Sequence, residues 1–320
     1  MSSDQLVDPE IRPVLEFFPP LELSRAALKD IRNTIAKAPV LQPTGIELEA
    51  RVDEVRVPGP ANSPPVRLLC YRPDGVGADL PAVLHIHGGG YVLGSADMMD
   101  LPNRRMAMEM NCAIFSVDYR LAPETPHPGP LEDCYAALKW LHENAAALHV
   151  DSHRIALKGE SAGGGLAAAL ALLARDRGEV PLVHQNLIYP MIDDRTSAQG
   201  ATDCHPFVGE YIWTPTENFF GWSSLLGTAP GSAGVSPYAA AARASDLSGL
   251  PPAFISVGAL DLFLEEDLEY ARRLTRAGVP VELHVYPGAF HAFDMAPQTA
   301  RVAQAAVRDS REALRRALFG

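Results

Sequence analysis

The chain has 320 residues, 47% hydrophobic and 21% charged, a composition that can bury a core and excludes a disordered or collagen-like polymer. Its formal net charge is −12, from 27 Lys and Arg against 39 Asp and Glu, which opposes binding to nucleic-acid phosphates and adsorption to anionic membranes. No apolar run approaches the roughly 18–20 residues that span a bilayer, and the opening MSSDQLVDPE lacks the basic and apolar regions of a secretory signal. A cytoplasmic protein without stable membrane insertion or a nucleic-acid partner is therefore expected.

In chain order, residues 1–45 read as helical. Apolar positions recur at Ile11, Val14, Leu15 and Phe18, then at Leu28, Ile31 and Ile35, with Pro19-Pro20 dividing the two pieces. Glu54–Val57 and Val66–Tyr71 read as a β-hairpin with a long Gly/Pro/Ser-rich connection. From Pro81 short β-rich runs alternate with helices. The strands are Ala82–His87, Ala113–Val117, Ile155–Lys158, Leu182–Tyr189, Ala253–Val257 and Val281–Tyr286. The helices are Leu131–Leu141, Ala162–Ala174, Leu264–Ala277 and Thr299–Leu318. Such alternation predicts a mostly parallel sheet of about eight strands, covered on both faces and extended at one edge by the hairpin.

Asp193 to about Gly234 interrupts this rhythm with Phe207, Tyr211, Trp213, Phe219, Phe220 and Trp222. Inserted between two sheet strands, they suggest a cap over the strand C-terminal ends, where ligand crevices of open α/β sheets lie. The other reading is a peripheral helical pair with its own small core. Cys70, Cys112, Cys134 and Cys204 are scattered, with no C-x-x-C pair, and read as buried reduced thiols.

Gly159-Glu160-Ser161-Ala162-Gly163 follows one strand and opens a helix, the context of a nucleophile elbow. A strand turning directly into a helix lifts the central side chain clear of the sheet, above a helix N-terminus that favours developing negative charge. His87-Gly88-Gly89-Gly90 follows another strand. Its consecutive glycines suit main-chain N–H groups facing a substrate oxygen, so Gly88, Gly89 and Ala162 are read as oxyanion donors. A phosphate loop is the alternative, although no Walker lysine follows. His85 and His87 share a strand face but no carboxylate-rich partner motif, so His85 is read as core, His87 as shaping the glycine loop, and no metal is expected.

A serine nucleophile needs a base, and the base an orienting carboxylate. Asp261 follows the strand Ala253–Val257 and His291 follows Val281–Tyr286, in the order Ser, Asp, His. Glu265, Glu266 and Asp267 compete for the acid role but fall inside a helix, where solvated charge is the usual explanation. His284 lies within its strand. Arg120 and Glu124 suit an internal ion pair or loop hydrogen bonds, and Asp193 and Asp194 a loop-organising role. Tyr91, Phe207, Trp213 and Leu262 are candidate pocket walls, with core packing as the alternative for each.

His87-Gly-Gly-Gly90, Asp118-Tyr-Arg-Leu-Ala-Pro-Glu124, Gly159-Glu-Ser-Ala-Gly-Gly164, Asp261-Leu-Phe and Phe290-His291-Ala-Phe293 occur in order between roughly Val83 and Phe293. This set resembles the bacterial hormone-sensitive-lipase-like esterases, family IV of the lipolytic α/β-hydrolases. The resemblance implies an eight-stranded α/β-hydrolase core over 46–192 and 235–320, with a helical cap from 1–45 and the 193–234 insertion. It implies a serine carboxylesterase with Ser161, Asp261 and His291 at the triad positions, acting on a small-molecule ester without metal or organic cofactor. The short insertion points to short- to medium-chain esters. An amide or formamide hydrolase on the same scaffold and a non-catalytic ligand-binding homologue are the competing readings. Two departures stand out: Glu160 where many members carry aspartate, and Ala292 where glycine often follows the histidine. Family members often dimerise through the last strand and helix. The side of the C-terminal helix with Val302, Ala306, Ala313 and Ala317 is thus expected to pack on the sheet or on a second copy.

Overall fold

The computed structural model describes residues 2–17, 21–37, 45–75, 79–196, 205–296 and 299–320. Eight strands, β1 (Ala50–Val57), β2 (Val66–Pro73), β3 (Leu80–Ile86), β4 (Ala113–Asp118), β5 (Val150–Glu160), β6 (His184–Ile188), β7 (Ala253–Gly258) and β8 (Val281–Tyr286), form one sheet. Their order is β1-β2-β4-β3-β5-β6-β7-β8. β1 and β2 pair antiparallel, Ala50 opposite Pro73 and Val57 opposite Val66, and β2 is antiparallel to β4. Every other pairing is parallel. β3 and β7 are buried at every position, His85 and Ser256 included, as expected of largely apolar strands covered by helices on both faces. β8 forms an edge and keeps Leu283 and Val285 exposed.

The helices are α1 (Leu28–Ala36), α2 (Asp100–Met110), α3 (Gly129–Glu143), α4 (Ala162–Arg177), α5 (Pro215–Leu226), α6 (Leu264–Arg276) and α7 (Arg301–Phe319). α4 is buried from Ala162 to Ala174, and its Gly- and Ala-rich start allows close approach to the sheet. α3 buries the expected face of Leu131, Tyr135, Leu138 and Leu141. α7 lies against β5, β6 and β7 and buries Ala303, Ala306, Ala313, Leu314 and Leu318, so its apolar side packs on the sheet. No helix among the described residues is long and apolar enough to cross a membrane.

The N-terminal segment meets the helical expectation at α1, with Leu28, Ile31 and Ile35, and departs from it in the first piece. Asp4–Leu6 and Arg12–Phe17 are short 3₁₀ turns, because Pro9 and Pro13 remove donors that an α-helix needs. Ile11 and Val14 are nevertheless buried, in a cluster with Tyr189, Tyr286, Phe290 and Phe293. Phe18 and Pro19-Pro20 lie outside the described residues. α2, which the sequence reading did not contain, turns Met106, Ala107 and Met110 inward and ends on Asn111 at φ 51°, a left-handed cap. Cys70, Cys112 and Cys134 are free and buried, and burial pushes the thiols of Cys70 and Cys112 up to about 12. Cys204 lies outside the described residues.

The segments after β3, β5, β7 and β8 carry the glycine loop, Ser161, Asp261 and His291. Parallel strands therefore deliver all four to one end of the sheet.

Candidate active site

Ser161 sits between the last residue of β5 and the first of α4 with φ 55° and ψ −122°. Such a conformation costs about 1–3 kcal/mol for a residue with a side chain and persists only where its surroundings impose it. Here the Ser161 N–H donates to the Ile188 carbonyl at 2.9 Å, while its own carbonyl accepts from Gly165 and Met191, each at 2.9 Å. Gly163 is required by close approach: a Cβ there would lie 2.0 Å from the Ile86 carbonyl oxygen at the end of β3.

His291 Nε2 lies 2.9 Å from Ser161 Oγ, and His291 Nδ1 lies 2.8 Å from Asp261 Oδ2. The second carboxylate oxygen of Asp261 accepts from the Phe263 N–H at 3.0 Å. All three residues are buried, Asp261 completely. The imidazole is enclosed by aromatic rings, with centroids of Tyr189, Phe263 and Trp213 at 4.8, 5.2 and 6.4 Å. Low dielectric around this chain strengthens its hydrogen bonds.

The glycine loop runs alongside. A Cβ on Gly88 would stand 3.3 Å from Ser161 Cβ, which puts the loop backbone beside the serine. The Ala162 N–H, at the first position of α4, belongs to the turn whose donors have no intrahelical acceptor. His87 Nδ1 is 2.8 Å from the Gly88 carbonyl oxygen, its ring stacks on Tyr119 at 4.3 Å, and the Tyr119 hydroxyl donates to the His87 carbonyl. Burial pulls the His87 pKa down to about 4, so the ring is neutral near pH 7.

Trp213 closes the other side: a Cβ on Gly90 would lie 2.0 Å from the indole Cη2. Trp213 and Leu262 are almost wholly buried, and Phe207 partly. Tyr91 is fully buried, donates to the Met191 carbonyl at 2.7 Å and packs on Trp222, which sets it among the core side chains.

Several neighbours differ from the sequence reading. Arg120 does not pair with Glu124. It holds Asp133 through two side-chain hydrogen bonds, while Glu124 takes Arg32 of α1 at 2.8 Å; the helix after the loop offers a buried acid closer to Arg120. Glu266 and Asp267 are not solvated. Glu266 is buried and accepts from the Ile192 and Asp193 N–H groups at 2.7 and 3.1 Å; burial raises the pKa of both acids well above the usual range. The first turn of α6 faces the loop after β6, whose N–H groups Glu266 receives, and helical periodicity alone does not report this. Asp194 is buried and doubly bonded to Arg243, and Asp193 to Arg195, both organising the loop after β6. His284 is half-buried and pairs with Glu282.

Sequence reasoning missed the cluster behind Ser161. His85 is indeed in the core, but its Nε2 lies 2.9 Å from Glu160 Oε2 and its Nδ1 2.9 Å from Ser116 Oγ. Lys158 bonds the other Glu160 oxygen. Burial lowers the Lys158 pKa to about 8 and holds that of His85 well below its usual value. The two-residue spacing of Lys158 and Glu160 on one strand face was the available signal. Among the described residues no cluster of three His, Cys, Asp or Glu is arranged to hold a metal ion.

Residues 83–295 match the model of a family described as alpha/beta hydrolase fold. A carboxylesterase of Mycobacterium tuberculosis, NlhH, is 36% identical over 296 residues, covering 90% of this chain and 88% of that protein. Among solved structures, a bacterial heroin esterase superposes with a TM-score of 0.88 at 38% identity, covering 99% of each chain. A Pyrobaculum calidifontis esterase superposes with a TM-score of 0.84 at 33% identity, covering 97% of this chain and 98% of that one.

Proposed function

Because the chain belongs to the alpha/beta hydrolase fold family, among its hormone-sensitive-lipase-like carboxylesterases, we propose that it cleaves short- to medium-chain esters through an acyl-enzyme on Ser161. It is a carboxylic ester hydrolase; the catalytic residues and chain length are our reading. His291 Nε2 takes the Ser161 proton as Oγ attacks the ester carbonyl, and Asp261 stabilises the imidazolium at Nδ1. The N–H groups of Gly88, Gly89 and Ala162 receive the oxyanion, a contribution of about 3 kcal/mol per donor in comparable sites. His291 then returns its proton to the leaving alkoxide, and water repeats the sequence on the acyl group. The observation that carries this reading is the unbroken chain Asp261–His291–Ser161 at 2.8 and 2.9 Å, ending on a serine held at φ 55°.

We further read residues 1–45 and 193–234 as a cap around the substrate. Ser3 bonds Glu210 through its N–H and hydroxyl at 2.6 and 2.7 Å, and Arg32 donates to the Val92 and Ala122 carbonyls at 2.8 and 2.7 Å. The two pieces are thereby tied to each other and to the glycine loop. Trp213 against Gly90 limits the space beside the nucleophile, which supports short acyl chains; Phe207 and Leu262 would line the remainder. The test is Ser161→Ala assayed on p-nitrophenyl butyrate. A folded variant with at least about a thousandfold lower turnover is expected. Wild-type turnover would sink the assignment of Ser161.

A further inference from the structure

The catalytic reading leaves one half-buried acid beside His291 without a role. Asp294 stands three residues beyond His291, in the short turn Phe293–Met295. Ala292, at φ 59°, turns the chain back so that this carboxylate meets the end of β6. There Tyr189, itself at φ 35°, donates its hydroxyl to Asp294 Oδ1 at 2.6 Å. The Tyr189 ring also meets the His291 ring edge-on at 4.8 Å. One side chain thus touches the imidazole with its ring and the acid with its hydroxyl.

We propose that Asp294, clamped by Tyr189, is a positioning residue that fixes the His291 loop and presents a second negative charge to the imidazolium. This rests on His291 being the general base. A neutral carbonyl would satisfy the Tyr189 hydroxyl equally well, whereas even partly burying a carboxylate is costly unless opposite charge faces it. The charges facing Asp294 are Lys158 of β5 and His291. Lys158 is shared with Glu160, the residue before Ser161, and Arg311 of α7 opposes it. On the His291 side, Asp261 and Ser161 hold the two ring nitrogens. Burial raises the Asp294 pKa above the usual carboxylate range, and the Tyr189 hydrogen bond and Lys158 oppose that rise. The same lysine therefore acts on the acid next to the nucleophile through an ion pair and on Asp294 through space.

The experiment is the pH dependence of kcat/KM for p-nitrophenyl butyrate in Asp294→Asn, Tyr189→Phe and the double variant, with melting curves for each. Asp294→Asn keeps an acceptor for Tyr189 but removes the charge, so the acid limb should move down by about half a pH unit or more. Tyr189→Phe keeps the ring and should lower kcat about fivefold or more with KM within about twofold. The double variant should have kcat no lower than the worse single variant, because both act through one bond. An unmoved acid limb in Asp294→Asn, wild-type kcat in Tyr189→Phe, or additive losses each overturn the inference, since a merely structural pair leaves the limb in place. If Asp294→Asn does not fold, Tyr189→Phe decides alone. His291→Ala separates the two levels: if it stays active, the reading of the base has failed. If it is dead while the pair variants behave as wild type, only this inference has.

Discussion

Ala292 shows how a single residue can be visible in the sequence and still lack its meaning. Its place after Phe290-His291, where glycine often stands in related chains, is plain from the motif, but the reason is conformational. The backbone is left-handed there, with φ 59°, a region that costs a residue with a Cβ roughly 1–2 kcal/mol. Ala292→Gly should relieve that strain and lose somewhat less through the greater freedom of the unfolded chain. A net gain of about 0.5 kcal/mol in urea denaturation is expected; a clear loss of stability would show the bend to be unstrained. Ser161, Asp261 and His291 were legible because their chemistry demands specific residue types at strand ends. Glu160 was read only as a departure: its two-residue spacing from Lys158 was a local signal, but nothing in a linear sequence reports that His85 of β3 would also reach it. Tyr189 and Asp294, with α5, β7, α6 and β8 between them in the chain, were not legible at all.

At the scale of elements, the strands stand out because parallel strands buried on both faces are mostly apolar, as β3 and β7 are apart from His85 and Ser256. Helices were readable where one face is apolar, as in α3. α2 was not, because Asp100–Met110 mixes Pro102 and two arginines into its first turns and turns only a few residues inward. The insertion announced itself by aromatic content, yet its geometry depends on contacts distant in sequence. Trp213 is pinned by a hydrogen bond from its Nε1 to Asn218 Oδ1 of α5 at 3.1 Å and lies over Gly90. Removing the indole should therefore lengthen the acyl site. For Trp213→Ala, the ratio of kcat/KM on p-nitrophenyl decanoate to butyrate should rise about tenfold or more. A lower or unchanged ratio would place the acyl chain elsewhere.

The whole molecule carries a pH signature opposed from two sides. Burial lowers the pKa values of His87 and His184 to about 4 and that of His85 well below normal. The unfolded chain takes up protons on these rings below about pH 6.5 while the folded one resists until about pH 4. Their stabilising contribution is complete above the upper limit and is lost as pH falls through that window. Glu266, Asp267 and Asp294, whose pKa values burial raises, act in the opposite sense. The folded state holds their protons more tightly, so they favour folding as pH falls. His184 lies in β6, outside the cluster around Ser161, and isolates one side of this balance. In His184→Gln the stability relative to wild type should rise by roughly 3 kcal/mol between pH 7 and pH 4. A difference independent of pH in urea denaturation would contradict the burial of a neutral ring.

Covalent capture of the nucleophile tests the catalytic assignment most directly. The wild-type protein is incubated with a fluorophosphonate, and the adduct is located by intact mass and peptide mapping. One adduct per chain on Ser161 is expected, absent in Ser161→Ala and formed at least about a hundredfold more slowly in His291→Ala. Ester hydrolysis that persists with no adduct, or with the adduct on another residue, would contradict the assignment.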